Sequence, residues 1–319
     1  MKYVKAVVLK GPKDLSVEDV PIPNMQGWAL VKVELVGICG TDKAFYVGTY
    51  PLLKKPLIPG HEVVGIVVKG PKELVGRRVV SEINFPDGTC EYCRAGLYTH
   101  CPNRKTLGID FDGGMAEYFV APSIALHIFN GLFELGIFVE PLAAVLNSFS
   151  QFPIKPNNKV AVIGTGNLAQ LTAQVVRHLG VSRVDAIIRR GSKKAELMSK
   201  YVDSLVEEPK DQYYDIVVEA SGDPNALDLA VRIVKPRGFV HLKSTPGSSS
   251  IFNATLAVVK ETRIVGTRCG TFNEFDEAIR LLTNGIVKPK LDAIYPLDKA
   301  KDAFEFAVNE RPTKVALKP

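Results

Sequence analysis

No run of eighteen apolar residues occurs in the 319-residue chain, which leaves no candidate for a membrane-spanning helix. The opening stretch MKYVKAVVLKGPKDL breaks its apolar residues with Lys5 and Lys10, and it has neither the apolar core nor the small-residue cleavage site of a secretion signal. A water-soluble, cytoplasmic protein with no membrane partner is expected. Long blocks of one charge are also missing. The net charge is +6, but Lys and Arg are scattered, so no nucleic-acid partner is expected. There is no internal repeat and no low-complexity tract. Cysteine is scarce and odd in number: of five, Cys90, Cys93 and Cys101 share one short stretch, while Cys39 and Cys269 stand apart. Without a secretion signal, an odd count clustered at metal-ligand spacing points to reduced thiols and a metal rather than disulfides.

The length favours two domains. From Val31 to Val80 short β-rich runs (ALVKVELVGI, VVGIVV, RRVVSEI) are broken by Gly and Pro clusters, the pattern of an irregular β-domain with functional loops. After Pro153 apolar strands alternate with amphipathic stretches (KVAVIG, NLAQLTAQVVRHLG, RVDAIIR, SKKAELMSKY, YDIVVEAS, NALDLAVRIVK, FVHLKST), which predicts a parallel sheet with helices on both faces. Two further helices, EFDEAIRLLTNG and LDKAKDAFEFAV, precede the short apolar tail KVALKP.

VAVIGTGNLAQ places Gly164 and Gly166 between an apolar strand and an amphipathic stretch, with Ala169 at the third position of a G-x-G-x-x-G/A fingerprint. Such a turn lets the backbone approach a pyrophosphate at a helix N-terminus, where Asn167 and Leu168 also lie. The second strand runs into Arg189 and Arg190, followed by Ser192, Lys193 and Lys194. Asp185 has the sequence spacing of a ribose-binding acid, but it precedes the apolar AII and so falls at the start of the strand. Arginine suits a phosphate, and NADP(H) is expected over NAD(H). The competing reading of this stretch is a solvated basic turn.

Cys39 in GICGTD, His61 and Glu62 in PGHE, and Glu140 in FVEPLAAVL are candidate metal ligands, because a catalytic zinc takes three protein ligands and keeps one position open. Taken singly, Cys39 also reads as a small buried hydrophobe and His61 as a hydrogen-bonded loop residue.

The ordered set GICGTD, PGHE, C-x-x-C-x7-C, GGMAEYFV, EPLA and GTGNLA resembles that of the zinc-dependent medium-chain alcohol and polyol dehydrogenases, over essentially the whole chain. The resemblance implies an α/β protein: a GroES-like, β-rich catalytic domain (1–142 and 269–319) and a Rossmann doubly wound parallel sheet (143–268), with the family's active site in the cleft between them. It further implies Cys39 and His61 as catalytic zinc ligands. Glu140 is favoured as the third ligand, Glu62 is the neighbouring carboxylate that approaches the metal or stays behind it, and Asp42 orients the histidine. Many members carry a fourth cysteine at the position of Asp87. The resemblance therefore implies a closed structural zinc site of Asp87, Cys90, Cys93 and Cys101, with His100 the rival fourth ligand and Cys269 structural.

The implied activity is zinc-dependent hydride transfer between an alcohol, polyol or sugar hydroxyl and NADP, with Thr41 passing the alcohol proton outward. Several relatives have a histidine where this chain has Ala44, so proton exit would use the cofactor ribose, water or Lys43. Phe45, Tyr46 and Phe111 are candidates for lining the substrate pocket. A homodimer or homotetramer is the family's suggestion. The alternatives are a non-catalytic or regulatory NADP(H)-binding protein, a zinc-less quinone reductase and a zinc-ribbon nucleic-acid module. The first two predict a lost metal constellation, and the third needs a second cysteine pair.

Overall fold

Apolar runs of strand length dominate the first third of the chain, and the computed structural model, which describes residues 3–25 and 27–319, pairs them antiparallel. Ala29–Gly37 lies against Glu62–Lys69 and, on its other side, against Tyr118–Ala121 and Val315–Lys318. These strands belong to a seven-stranded sheet that Ala293–Pro296 closes at one edge and Leu126–Ile128 at the other. Val7, Val31, Val33, Val36, Phe45, Leu57, Met115 and Phe304 are among the side chains packed into its core. This unit comprises Met1–Ala143, Cys269–Asn284 and Lys290–Pro319. It is not wholly β in its first part: GTDKAFYV forms a helix, Gly40–Val47, that the Gly- and Pro-rich surroundings concealed.

Ala144–Arg268 with Gly285–Pro289 forms the second unit. Its six strands are all parallel, in the spatial order Ser204–Val206, Arg183–Ile187, Lys159–Ile163, Tyr214–Glu219, Val234–Leu242, Arg263–Gly266. Numbered along the chain, that order is 3-2-1-4-5-6, the doubly wound Rossmann arrangement with its switch point beside the first strand. The strands are nearly continuous apolar runs because helices cover the sheet. Asn167–His178 buries Ala169, Leu171, Ala173, Val175 and Val176, and Ala226–Ile233 buries Leu227, Ala230 and Val231. The expected SKKAELMSKY helix is short, Ala195–Ser199. Among the described residues no helix is long and apolar enough to cross a membrane.

Candidate active site

Cys39 and His61 are distant in sequence but meet at one end of the first unit's sheet. The register pairs Gly37 with Glu62 on one side and with Ala316 on the other. Cys39 leaves the sheet just beyond Gly37, His61 enters just before Glu62, and Lys314 arrives just before the C-terminal strand. Gly37 has to be glycine here, because a Cβ would collide with the Glu62 carboxylate. The loop that carries His61 is pinned by the GGMAE segment: Gly113 N–H donates to Ile58 O at 2.7 Å, Gly114 N–H to Gly60 O at 2.7 Å and Met115 N–H to Pro59 O at 3.0 Å.

The ligand atoms of Cys39, His61 and Glu62 lie within 4.8 Å of one another. His61 and Glu62 are buried, and Cys39 is half-buried. Glu140, second residue of the helix Val139–Gln151, is buried close by. Burial alone would discharge the His61 ring, but Cys39, Asp42 and Glu140 outweigh it and hold the imidazole well above its ordinary pKa. Asp42 belongs to a helix. It occupies the first turn of the Gly40–Val47 helix, where its Oδ2 accepts the Cys39 N–H at 2.8 Å and so fixes the residue that begins the helix. The hydrogen bond expected from Asp42 to His61 is not formed: Asp42 Oδ1 and His61 Nδ1 are both buried without a partner. A sulfur, nitrogen and oxygen donor set with an orphaned imidazole nitrogen fits a zinc ion.

Glu62 is not idle. Lys314 Nζ donates to Glu62 Oε1 at 2.7 Å and to Oε2 at 2.5 Å, with both side chains buried. Nothing in the local pattern signalled this pair beyond a lysine standing before an apolar strand. Lys43 lies half-buried in the same neighbourhood, and desolvation, with Lys314's charge adding to it, lowers its pKa. Thr41 Oγ1 lies 4.0 Å from Cys39 Sγ. Two of the three expected lining residues prove to be packing: Phe45 and Tyr46 are core side chains, and Tyr46 OH is tied to Glu305 at 2.5 Å. Phe111 is partly buried beside Trp28 and Phe85.

A second donor cluster comprises Asp87, Cys90, Cys93 and Cys101, again with ligand atoms within 4.8 Å. His100, the rival ligand, is exposed and outside it. Asp87 Oδ1 accepts the N–H groups of Thr89 at 2.8 Å and Cys90 at 3.0 Å, and Oδ2 accepts Asn103 Nδ2 at 2.6 Å. Asn103 and these two amides hold the Asp87 carboxyl far below the usual carboxylate range. The charged form is therefore already oriented toward the thiols. Tyr98 OH anchors the lobe by donating to Glu82 at 2.7 Å and accepting Phe272 N–H at 2.6 Å. Glu82 in turn lies 3.0 Å from His127 Nε2. Cys269 Sγ accepts Asn84 Nδ2 at 2.8 Å, in keeping with a packing role. Neither Asn103 nor this anchor was visible from spacing.

In the second unit the glycine turn sits at the sheet's switch point. Gly164 has φ +117°, and a Cβ there would lie 3.0 Å from Ser221 Cα. Gly166 begins the helix, Asn167 and Leu168 are half-buried in its first turn, and Ala169 is fully buried against the sheet. Asp185 is not at the start of its strand but in the middle. It is buried there, accepting Tyr214 OH at 3.0 Å and Arg183 Nε at 3.1 Å. Arg189 and Arg190 are exposed just beyond the strand's end, and neither is merely solvated: Arg189 pairs with Asp223, and Arg190 lies 3.2 Å from Glu207.

The alcohol dehydrogenase GroES-like domain model matches residues 25–129, and the zinc-binding dehydrogenase model matches residues 167–284. The chain belongs to the zinc-binding medium-chain dehydrogenase family. Within it, the chain is 27% identical to a sorbitol dehydrogenase of Bombyx mori, with 98% of this chain and 97% of that protein aligned. It is 28% identical to an alcohol dehydrogenase of Geobacillus stearothermophilus, with 94% of each covered. A Sinorhizobium meliloti 1021 protein described as a zinc-binding dehydrogenase, solved with NADP, superposes with a TM-score of 0.90 at 28% identity over the full length of both chains. This medium-chain dehydrogenase is accordingly an enzyme of the alcohol and polyol dehydrogenase class.

Proposed function

We propose that the chain transfers hydride between the hydroxyl of an alcohol, polyol or sugar and NADP, with zinc held by Cys39, His61 and Glu140. The observation that carries this reading is the close set of Cys39, His61 and Glu62 donor atoms at the end of the first unit's sheet, with Glu140 outside that set but buried near enough to raise the His61 pKa. Zinc bound there would polarise the substrate hydroxyl and favour its ionised form. The chain's own groups do the rest. Asp42 fixes Cys39 through its backbone amide, and Thr41, next to Cys39, offers the hydroxyl that hands the released proton outward. Lys314 engages both oxygens of Glu62, which favours Glu140 as the third ligand.

Asp87, Cys90, Cys93 and Cys101 are proposed to hold a second zinc that stabilises their lobe and takes no part in the chemistry. Three thiols and a preoriented carboxylate would supply the four donors that a closed zinc site needs. Gly164, Gly166, Asn167 and Leu168 are proposed to receive the cofactor pyrophosphate, and Arg189 and Arg190 the ribose 2′-phosphate. The absence of a carboxylate where the Arg183–Ile187 strand ends supports NADP over NAD.

The deciding experiment is a set of initial rates with zinc-loaded protein on simple alcohols, polyols and aldoses, with NADP⁺ and NAD⁺ in parallel and zinc content measured. Turnover with NADP⁺ that disappears in Cys39→Ser, together with the loss of about one zinc per chain, is expected. Full turnover in Cys39→Ser would sink the reading.

A further inference from the structure

The strands Arg183–Ile187, Lys159–Ile163 and Tyr214–Glu219 are consecutive neighbours in the parallel sheet. The segments leaving their C-terminal ends therefore lie side by side, with the Gly164–Gly166 turn in the middle. Contacts tie the three together. Thr165 Oγ1 lies 3.2 Å from Ser192 Oγ on one side, and on the other Gly164 is packed so closely that a Cβ would lie 3.1 Å from Ala220 O. The Arg189–Asp223 ion pair joins the two outer segments and thus crosses the turn.

The two ends of this pair are held differently. Asp223 is fixed: its N–H donates to Ser221 Oγ at 3.1 Å, and its Oδ1 accepts Asn225 N–H at 3.0 Å and Asn225 Nδ2 at 3.2 Å. Ser221 is itself anchored, its Oγ donating to buried Glu219 at 2.6 Å. Only Oδ2 is left for Arg189, whose side chain is 75% exposed. Arg189 is the partner free to move. A phosphate offers its guanidinium more charge and a better fork than one carboxylate oxygen.

We propose that Asp223 holds Arg189 across the glycine turn until a ribose 2′-phosphate draws it away, so that Asp223 is a specificity-determining residue for the dinucleotide. The proposal rests on the NADP reading above. NADH carries no group that draws Arg189 off Asp223 and binds with the strap closed. NADPH replaces one ion pair with another and also meets the repulsion of a fixed carboxylate. Asp223 thus weakens NADPH binding, and the effect depends on Arg189.

The test is fluorescence titration of NADPH and NADH into the wild-type chain, Asp223→Asn, Arg189→Ala and the double variant. Asp223→Asn keeps an acceptor for Asn225, so its thermal midpoint is expected to stay within about 2 °C of wild type. NADPH is expected to bind roughly three- to tenfold more tightly to Asp223→Asn, while NADH moves by no more than about twofold. In the Arg189→Ala background the gain from Asp223→Asn should shrink to about twofold or less. Absence of the gain, or a gain of equal size with and without Arg189, overturns the strap. Tighter binding of NADH than NADPH by the wild-type chain overturns the NADP reading instead, and the coupling between residues 189 and 223 is still read with NADPH.

Discussion

Lys314→Met removes an ammonium group while keeping most of its hydrocarbon stem, and it leaves the Glu62 carboxylate facing an apolar side chain. The Glu62 side chain is 1% exposed and the Lys314 side chain 4%, with Nζ within 2.7 Å of both carboxylate oxygens. Water cannot replace the lost partner, because both side chains are buried. Breaking one side of such a pair costs about 3–5 kcal/mol, whereas removing both charges is often close to neutral. Glu62→Gln combined with Lys314→Met should therefore recover most of what Lys314→Met loses. The assay is urea unfolding of zinc-free protein, comparing wild type, both single variants and the double variant. Zinc has to be absent, because a freed Glu62 can turn to the metal and mask the loss. Adding zinc afterwards should restore more stability to Lys314→Met than it adds to wild type. A cost for Lys314→Met below about 1 kcal/mol, or a double variant no better than the single, would refute the argument.

Three further outcomes follow from other parts of the molecule. His241 lies buried among Phe149, Phe152 and Phe239 with neither ring nitrogen hydrogen-bonded, and burial, helped by Lys243, lowers its pKa to about 4. The folded ring stays neutral while the unfolded chain takes up a proton below about pH 6.5, so this stability is full above that pH and lost as pH falls toward about 4, with a loss of about 2 kcal/mol already reached at pH 5. His241→Phe should abolish that part of the pH dependence, and equal slopes in urea midpoint for wild type and variant would show that the ring does not titrate as described. Asp87→Ala should lose about one zinc per chain by metal analysis while Asp87→Cys keeps it, and unchanged zinc in Asp87→Ala would remove Asp87 from the ligand set. Gly164→Val places a branched side chain at φ +117° and against Ser221, so it should weaken NADPH and NADH together by more than about tenfold in titrations; retained affinity would place the cofactor elsewhere.

The Rossmann sheet was legible because buried parallel strands are spelled as apolar runs, and a glycine turn after the first of them marks the switch point. The local signal failed at GTDKAFYV, where neighbouring glycines and prolines concealed a helix whose beginning Asp42 secures. The placement of Asp185 erred for a similar reason. The apolar AII that follows it suggested the strand's start, but Asp185 lies in mid-strand, where Tyr214 and Arg183 both donate to its Oδ2 while Oδ1 is buried without a partner. The motifs around Cys39, His61 and Cys90 could be found because each is compact in sequence. The Glu62–Lys314 pair could not, since its partners are 252 residues apart and only the register Gly37–Ala316 brings them together. The Arg189–Asp223 pair was hidden by its surroundings: GDPN reads as an ordinary turn, and an aspartate there needs no further explanation.

The buried Glu62–Lys314 pair also bears on how the first unit presents its donors. A buried ion pair is seldom worth more to stability than apolar side chains of the same volume, so its presence calls for a reason beyond stability. Its position supplies one. Glu62 is paired with Gly37 in the sheet and follows His61 in the chain, while Lys314 leads into the strand on Gly37's other side. The pair therefore fastens the C-terminal strand to the two segments that carry Cys39 and His61, and apolar packing is a poor substitute because it lacks a fixed direction. It also settles charge. Asp42 and Glu140 raise the pKa of His61 in a buried site, and Lys314 offsets the charge of Glu62, the carboxylate whose oxygen lies in the donor cluster. On that logic Lys314→Met should do more than loosen the sheet. It should return Glu62 to competition for the metal, and a cobalt-substituted Lys314→Met protein should show an absorption spectrum different from wild type. Identical cobalt spectra would mean that Lys314 fastens strands and has no say in which glutamate faces the metal.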